Sequence, residues 1–406
     1  MKALLTSFII TFIATSSFAS GWIKKTDFGG IARHRTTGLG IGNKAYMGLG
    51  HYNGAGTNVL FDDWWEYDPA TSAWTQKADY MGGICYHATG FTLGDFGYVG
   101  TGRITPSGNT LVQSFFKYDP TTNVWTPISS FPGTERRGAV SFVVNDYAYV
   151  GTGETNFGDA NDFYRYSPST DSWIAIASMP GIGRGSSVAF GIEGYGYVGT
   201  GNTSIGSTND FWQYNPALNS WIQKANVGPT NRQEASGFAL NGRGYLGTGD
   251  DFSSGNNFKD MWEYDVSTNT WIQIEDFEGT ARRYLTCVVL NGYAYAGMGT
   301  NGTNFKDFWL FNQTLSLLER NLEQIGISAF PNPTTDFLTI DIQWVDGIPL
   351  ENLELVLTSL TGQEVHREPL NGGTTTINTS SYQKGLYIYS VVYSDRHLKS
   401  GQVLIK

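Results

Sequence analysis

The chain has 406 residues with 15% aromatic and only 15% charged side chains, 51 glycines and a formal net charge of −10. That charge is spread thinly with no basic stripe, which argues against nucleic acid as a partner. The length suffices for one large core and a small second domain, and Tyr, Phe and Trp at this density favour pleated, half-buried surfaces, so an all-β chain is expected.

The N-terminus reads as an export signal. Lys2 precedes an apolar run from Leu4 to Ala14, and Ser17-Phe18-Ala19 places small residues on both sides of a cleavage-site aromatic. Residues 1–19 have the layout of a secretory signal peptide, too short for a comfortable membrane span. The mature chain is expected to begin near Ser20. No other segment is long and apolar enough to cross a bilayer, so no transmembrane span is expected.

From residue 20 to 312 the chain repeats itself. Tyr-x-Gly-x-Gly occurs six times, with glycine pairs at Gly48/Gly50, Gly100/Gly102, Gly151/Gly153, Gly199/Gly201, Gly247/Gly249 and Gly297/Gly299. A tryptophan recurs in step at Trp22, Trp74, Trp125, Trp173, Trp221 and Trp271. A constant period of roughly 50 residues means an array of like units. Within the fourth unit, Ser186 to Phe190 reads as a strand, Glu193-Gly194 as a turn, and Tyr195 to Gly199 as a second strand. A polar loop from Asn202 to Asn209 follows. Asp210 to Tyr214 is a third strand, Asn215 to Asn219 a turn, and Ser220 to Gln223 a fourth strand. Four short antiparallel strands per unit make a propeller blade. Five units are complete. The last lacks a tryptophan strand, and the first tryptophan strand, Gly21 to Lys25, precedes any complete unit. Joining the two predicts a six-bladed β-propeller closed by its N-terminal strand, which leaves no open edge.

The Gly-x-Gly after a strand, the turns Tyr67-Asp68-Pro69 and Tyr118-Asp119-Pro120, and the spaced tryptophans resemble kelch repeats. The family's double glycine is Gly-x-Gly here, and the proline of the turn is replaced by Val266 and Gln313 in two units. The resemblance implies a propeller scaffold. Some kelch-like propellers are enzymes, among them copper oxidases of galactose and epimerases of sialic acid. The copper type needs a Tyr/His/Cys set that this sequence does not place. The epimerase type uses a cationic channel mouth.

A second register runs through the repeat. Arg33, Arg136, Arg184, Arg232 and Arg282 stand thirteen residues before the tyrosine of their glycine motifs, and Cys85 holds that place in the second unit. Asp63, Asp162, Asp210, Asp260 and Asp307 recur before the third strand, and Ser114 replaces them in the second unit. The unit that lacks the arginine also lacks the aspartate, which suggests a pair. An arginine fork can hold a carboxylate with two hydrogen bonds. Two readings stay open: structural ties that hold the loops, or a cationic ring at the channel mouth for anionic sugars. The same face carries the longest loops, His51 to Asp62, Arg103 to Gln113 and Asp250 to Lys259. The five arginines are the ligand-binding candidates.

No catalytic set stands out, and the chain is expected not to be an enzyme. His34, His51, His87, His366 and His397 show no metal spacing. The loop Glu154 to Asp159 resembles a calcium loop only loosely. No metal and no cofactor are expected. Cys85 and Cys287 fall at different repeat positions in units that are not neighbours, so both thiols are expected to be free.

After Phe311 the repeat stops. Residues 313–326 read as a linker. Beyond them short strands are expected at Phe337 to Ile342, Leu353 to Ser359, Thr374 to Ile377, Gly385 to Val392 and Gly401 to Ile405, as in a small Ig-like β-sandwich. Phe330-Pro331-Asn332-Pro333, Leu360 to Val365, Lys384 to Tyr389 and the end Gln402 to Lys406 resemble, in order, the type A C-terminal sorting domain of the type IX secretion system. The resemblance covers 327–406. It implies the type IX secretion machinery as a partner, a Bacteroidota-type outer membrane to cross, and release or surface attachment afterwards. The expectation is thus an extracellular or surface-displayed monomeric propeller that binds a glycan or protein through its loop face without catalysis. A carbohydrate-active enzyme working in the channel is the alternative, and a structural surface protein with no small ligand is the third reading.

Overall fold

Alternation of side chains builds every blade. In the fourth unit the strand Val188–Ile192 buries Val188, Phe190 and Ile192 and leaves the residues between them half-buried. The same alternation recurs at Thr37–Ile41, Thr89–Leu93, Val140–Val144 and Ser236–Leu240, the two-residue period of a pleated strand between neighbouring sheets. The computed structural model describes residues 21–54, 56–251, 253–313, 326–343, 353–370, 373–393 and 396–406. The expected signal peptide and nearly all of the expected linker lie outside them. The chain divides into a unit Trp22–Asn312 and a second that takes in Gln313–Lys406.

In the first unit each repeat is an antiparallel sheet whose strands run outward in chain order. The first is Thr37–Ile41, Lys44–Gly48, Trp64–Asp68 and Ala73–Gln76. The next four have the same order, and in all six sheets the innermost strands touch in a ring: each packs on the next, and Thr286–Leu290 returns to Thr37–Ile41. The last sheet is completed by Trp22–Lys25, which pairs antiparallel with Phe308–Phe311 in the register Trp22↔Phe311 to Lys25↔Phe308. Trp22 is buried, edge-on to Phe277 at 5.0 Å between centroids. The propeller is therefore shut by its own N-terminal strand.

The glycine motif carries a second closure. The second glycine of each pair has φ between +88° and +110°, a region that favours glycine. Its N–H donates to the carbonyl at the ring-arginine position of the next unit: Gly50 to Cys85, Gly102 to Arg136, Gly153 to Arg184, Gly201 to Arg232, Gly249 to Arg282 and Gly299 to Arg33, at 2.7–3.0 Å. The sixth bond returns to the first unit. A Cβ on Gly249 would lie 2.5 Å from the Gln233 carbonyl oxygen, so a side chain cannot stand there without moving the backbone.

One loop differs from expectation. Residues 202–209 are no loop: Tyr195–Thr203 and Gly206–Asn215 run on as one long hairpin, with a register shift between Gly199 and Gly201. Short hairpins also stand at the same end on the first, third and fifth units, from His51–Gly54 with Thr57–Leu60, Glu154–Thr155 with Gly158–Asp159, and Asp250–Asp251 with Asn256–Asn257.

The second unit has two antiparallel sheets, Gly326–Phe330 with Phe337–Gln343 and Thr374–Asn378, and Glu364–Pro369 with Leu353–Ser359, Gly385–Tyr393 and Arg396–Ile405. Gly326–Phe330 and Glu364–Pro369 are strands beyond those expected. Leu338, Ile340, Leu355, Leu357, Val391 and Val403 form its buried interior. Cys85 and Cys287 are free. Among the described residues no helix is long and apolar enough to cross a membrane.

Candidate functional site

The five recurring arginines are at most 2% exposed. Each grips the aspartate of its own unit with both terminal nitrogens. Arg232 Nη1 donates to Asp260 Oδ1 at 2.9 Å and Nη2 to Oδ2 at 2.6 Å. Arg33 with Asp63, Arg136 with Asp162, Arg184 with Asp210 and Arg282 with Asp307 repeat the fork. Nη1 also donates to the carbonyl inside the Gly-x-Gly motif, on Leu49, Thr152, Thr200, Thr248 and Met298, at 2.8–3.2 Å. In four units a tryptophan two residues after the aspartate donates its Nε1 to Oδ2. For Asp210, Asp260 and Asp307, burial alone would push the carboxyl up, but the Arg and Trp donors outweigh it and hold it below the usual range. In the second unit Cys85 Sγ points at the equivalent carbonyl, Thr101, at 3.5 Å, and Phe116 stands where the tryptophan would.

Arg33, Arg136, Arg184, Arg232 and Arg282 therefore do not line a ligand face. Their burial and their bidentate hold on the aspartates correct the cationic-ring reading: the terminal nitrogens are closed on a carboxylate and a carbonyl, and Nε of Arg33, Arg136 and Arg282 donates to a backbone carbonyl, while Nε of Arg184 and Arg232 is buried without a partner. They tie the entry of the first strand to the entry of the third.

What the ties support lies two residues further on. Arg35, His87, Gly138, Ser186, Glu234 and Tyr284 occupy the equivalent position of the six units, and all six are left-handed, with φ from +54° to +61°. A non-glycine residue there is sparsely populated and must be held by its surroundings. Here the holding is mutual. His87, Gly138, Ser186, Glu234 and Tyr284 each donate their N–H to the carbonyl of the member before, at 2.8–3.1 Å. At the seam between first and last units Thr36 Oγ1 hydrogen-bonds Thr286 Oγ1. The result is a collar of six residues at one end of the axis, below which Gly38, Gly90, Ser141, Ala189, Gly237 and Cys287 line the lumen with small side chains.

The collar encloses a cavity of about 160 Å³ bordered by Arg35, His87, Ser186, Glu234 and Tyr284. Arg35 Nη2 donates to the Tyr284 hydroxyl, which donates to Glu234 Oε1. The Arg35 guanidinium lies over the Tyr284 ring at 4.0 Å and 3.8 Å from the Glu234 carboxylate. His87 lies edge-on to Tyr284 at 5.3 Å, with Nε2 3.4 Å from Ser186 Oγ. A Cβ at position 138 would lie 2.9 Å from the His87 ring, so glycine there makes room for the imidazole. An outer layer supports these groups. Arg137 Nε and Nη2 grip Glu154 Oε2 at 3.0 and 2.6 Å, Arg283 Nη1 grips Asp250 Oδ2 at 2.7 Å, and His34 Nε2 meets Asn53 Oδ1 at 3.0 Å.

Burial dominates the titration of the cluster. It pushes the Glu234 carboxyl up, against the pull of Arg35. It pushes the Tyr284 hydroxyl well up and, with Arg35 and Arg137, the His87 imidazole well down. His34 falls to about 3 through burial, with Arg35 and His51 adding to the fall. The histidines are neutral near pH 7 and can both donate and accept. Several buried polar atoms in the cluster have no hydrogen-bond partner, namely Arg35 Nε, His87 Nδ1 and Glu234 Oε2. Arg283 Nε comes within 3.2 Å of that last oxygen, close enough for charge attraction but out of line for a hydrogen bond. Buried polar atoms left unpaired are costly, and a hydroxyl-bearing guest is the kind of group that satisfies both donors and acceptors. No group of three metal-binding side chains occurs among the described residues.

Sequence alone hides this collar. Its one signal was position: each member stands two residues after the ring arginine or Cys85. Residue type gave no repeat, because the six members differ.

A family model described as "Secretion system C-terminal sorting domain" matches residues 328–406. The chain therefore ends in a sorting domain, the mark of export by the type IX secretion machinery to the cell surface or beyond. A solved structure, titled "Structure of YjhT", aligns with a TM-score of 0.60 and 18% identity, covering 70% of this chain and 96% of that one. That likeness supports the kelch-like propeller fold. No curated protein matches the chain.

Proposed function

We propose that the propeller is a non-catalytic binding module of an exported protein, and that it takes a terminal sugar residue of a glycan in the collar cavity. The carrying observation is the convergence of six equivalent but chemically different residues on one cavity with unpaired buried donors and acceptors. Arg35 and Arg283 are balanced by Glu234 and Asp250, and the histidines are neutral, so the cavity suits a hydroxyl-rich, uncharged guest better than an anion. Loops on a rigid scaffold are where binding usually resides. Glycan-array binding by the secreted chain, followed by titration of the best ligand, tests the reading. Arg35→Ala should weaken that ligand by roughly tenfold or more, the value of a lost charge-assisted hydrogen bond. Array binding that Arg35→Ala leaves intact refutes the site.

A second reading has one observation behind it. The Glu234 carboxyl is raised and hydrogen-bonded by Tyr284 beside Arg35, the arrangement of a proton carrier in a sugar-processing cavity. Exchange of sugar anomers or epimers, followed by NMR and lost in Glu234→Gln, would favour that enzyme.

A further inference from the structure

Two neighbouring hairpins at the collar end hold out apolar side chains that nothing in the fold requires. Phe157 is 92% exposed and Ile205 is 81% exposed. Both sit on a turn of the same make. In Thr155-Asn156-Phe157-Gly158, the Phe157 N–H donates to Thr155 Oγ1 at 3.0 Å and that hydroxyl donates to the Gly158 carbonyl at 2.7 Å. In Thr203-Ser204-Ile205-Gly206, the Ile205 N–H donates to Thr203 Oγ1 at 3.3 Å and the hydroxyl to the Gly206 carbonyl at 2.7 Å. The threonine anchors fix the tips in one pose. In the last unit a related turn, with the Gly302 N–H bonded to Thr300 Oγ1 at 3.0 Å, carries glycine at that place. The turn therefore forms without a large apolar residue, and Phe157 and Ile205 need another reason.

The two hairpins are joined to the cavity and to each other. Glu154, at the base of the first, accepts from Arg137 and from the cavity residue Ser186. Its side chain also packs on Gly185, where a Cβ would lie 2.6 Å from Glu154 Cγ. Gly185 pairs with Asn202 at the base of the second hairpin. Both tips thus rise from one row, Glu154, Gly185 and Asn202, that meets the cavity through Ser186 on its third- and fourth-unit side.

We propose that Phe157 and Ile205 form an apolar contact for the non-sugar part of the same ligand, so that the preferred ligand is an amphiphilic glycoside: a sugar head in the collar and an alkyl or acyl group across the two tips. The inference rests on the sugar-binding reading of the collar. Covering two exposed apolar side chains with part of an alkyl chain supplies roughly a tenfold gain in affinity.

The test compares methyl and hexyl glycosides of glucose, galactose, mannose and N-acetylglucosamine by calorimetry on the full chain. The expected result is that at least one hexyl glycoside binds roughly tenfold tighter than its methyl partner. Phe157→Ser with Ile205→Ser should abolish that gain and leave methyl glycoside affinity unchanged. Both tips are exposed, so the double variant should melt as the parent does. Sugar binding with no hexyl preference, or a preference that survives the double variant, overturns this inference and leaves the collar reading standing. Hexyl binding that Arg35→Ala does not weaken overturns it as well, because the two parts then do not share a ligand. Loss of concentration-dependent self-association in the double variant, without any glycoside preference, would assign the tips to a second copy instead. Failure of every glycoside to bind overturns both readings.

Discussion

Removing one arginine tie should cost more than removing the whole pair. Arg232 is fully buried and holds Asp260 with two hydrogen bonds, at 2.9 and 2.6 Å, and the Thr248 carbonyl at 3.2 Å. Arg232→Ala strands a carboxylate whose side chain is 25% exposed. Breaking a buried pair by deleting one partner costs about 3–5 kcal/mol. The partial exposure of Asp260 places this case near the lower bound, and the orphaned Thr248 carbonyl adds about 1 kcal/mol. A loss of ~3–4 kcal/mol corresponds to ~6–8 °C in Tm for a domain this large. The second blade shows how a unit does without the charges, with Cys85 and Ser114 in the two places. Arg232→Cys combined with Asp260→Ser should therefore cost only about 1–2 kcal/mol, less than Arg232→Ala alone. Thermal and urea unfolding of the parent, the single variants and the double variant measure this directly. A Tm within about 1 °C of the parent for Arg232→Ala, or costs that simply add in the double variant, refutes the idea that these arginines act as ties.

Other outcomes follow from the same geometry. Deleting Gly21 to Thr26, or replacing the buried Trp22 by alanine, opens the last sheet. The single change should cost about 3–5 kcal/mol, and an unchanged melting temperature in the deletion would contradict closure by this strand. Gly201 and Gly206 share φ near +110°, but a Cβ on Gly201 would meet the Gly185 carbonyl oxygen at 2.8 Å while one on Gly206 meets nothing. Gly201→Ala should thus lower Tm clearly more than Gly206→Ala, and equal shifts would mean that backbone strain alone, not the close approach of the Gly185 carbonyl, explains the motif. His34 titrates at about 3 in the folded chain against an ordinary value of 6.5. Below pH 6.5 the unfolded chain binds a proton that the folded chain refuses, so this stability is present above pH 6.5 and is lost as pH falls toward 3, at up to ~1.4 kcal/mol per pH unit. Glu234, raised, acts with the opposite sign, favouring the fold until pH climbs past its elevated value. His34→Asn should flatten the acid limb of Tm against pH, and an unchanged limb would place the loss elsewhere.

Repetition made the scaffold legible. Six copies of Tyr-x-Gly-x-Gly and the stepping tryptophans gave the strand order, the shared loss at Cys85 and Ser114 gave the arginine–aspartate pairs, and the stray strand at Trp22 gave the closure. These features are legible because every unit solves the same packing problem and so repeats the same residues. The end of the chain was legible for another reason, since its motifs stand in a fixed order. Whether the arginines face a ligand or the scaffold was not, because spacing along a strand says how far apart two residues are and not whether a carbonyl and a carboxylate close over them. Burial answered that, and it turned the expected ligand ring into scaffold. The collar was hidden for the converse reason. A cavity that binds must break sixfold symmetry, so Arg35, His87, Gly138, Ser186, Glu234 and Tyr284 carry no common residue type. Only folding the ring shut sets six unlike neighbours, roughly 50 residues apart in the chain, around one cavity.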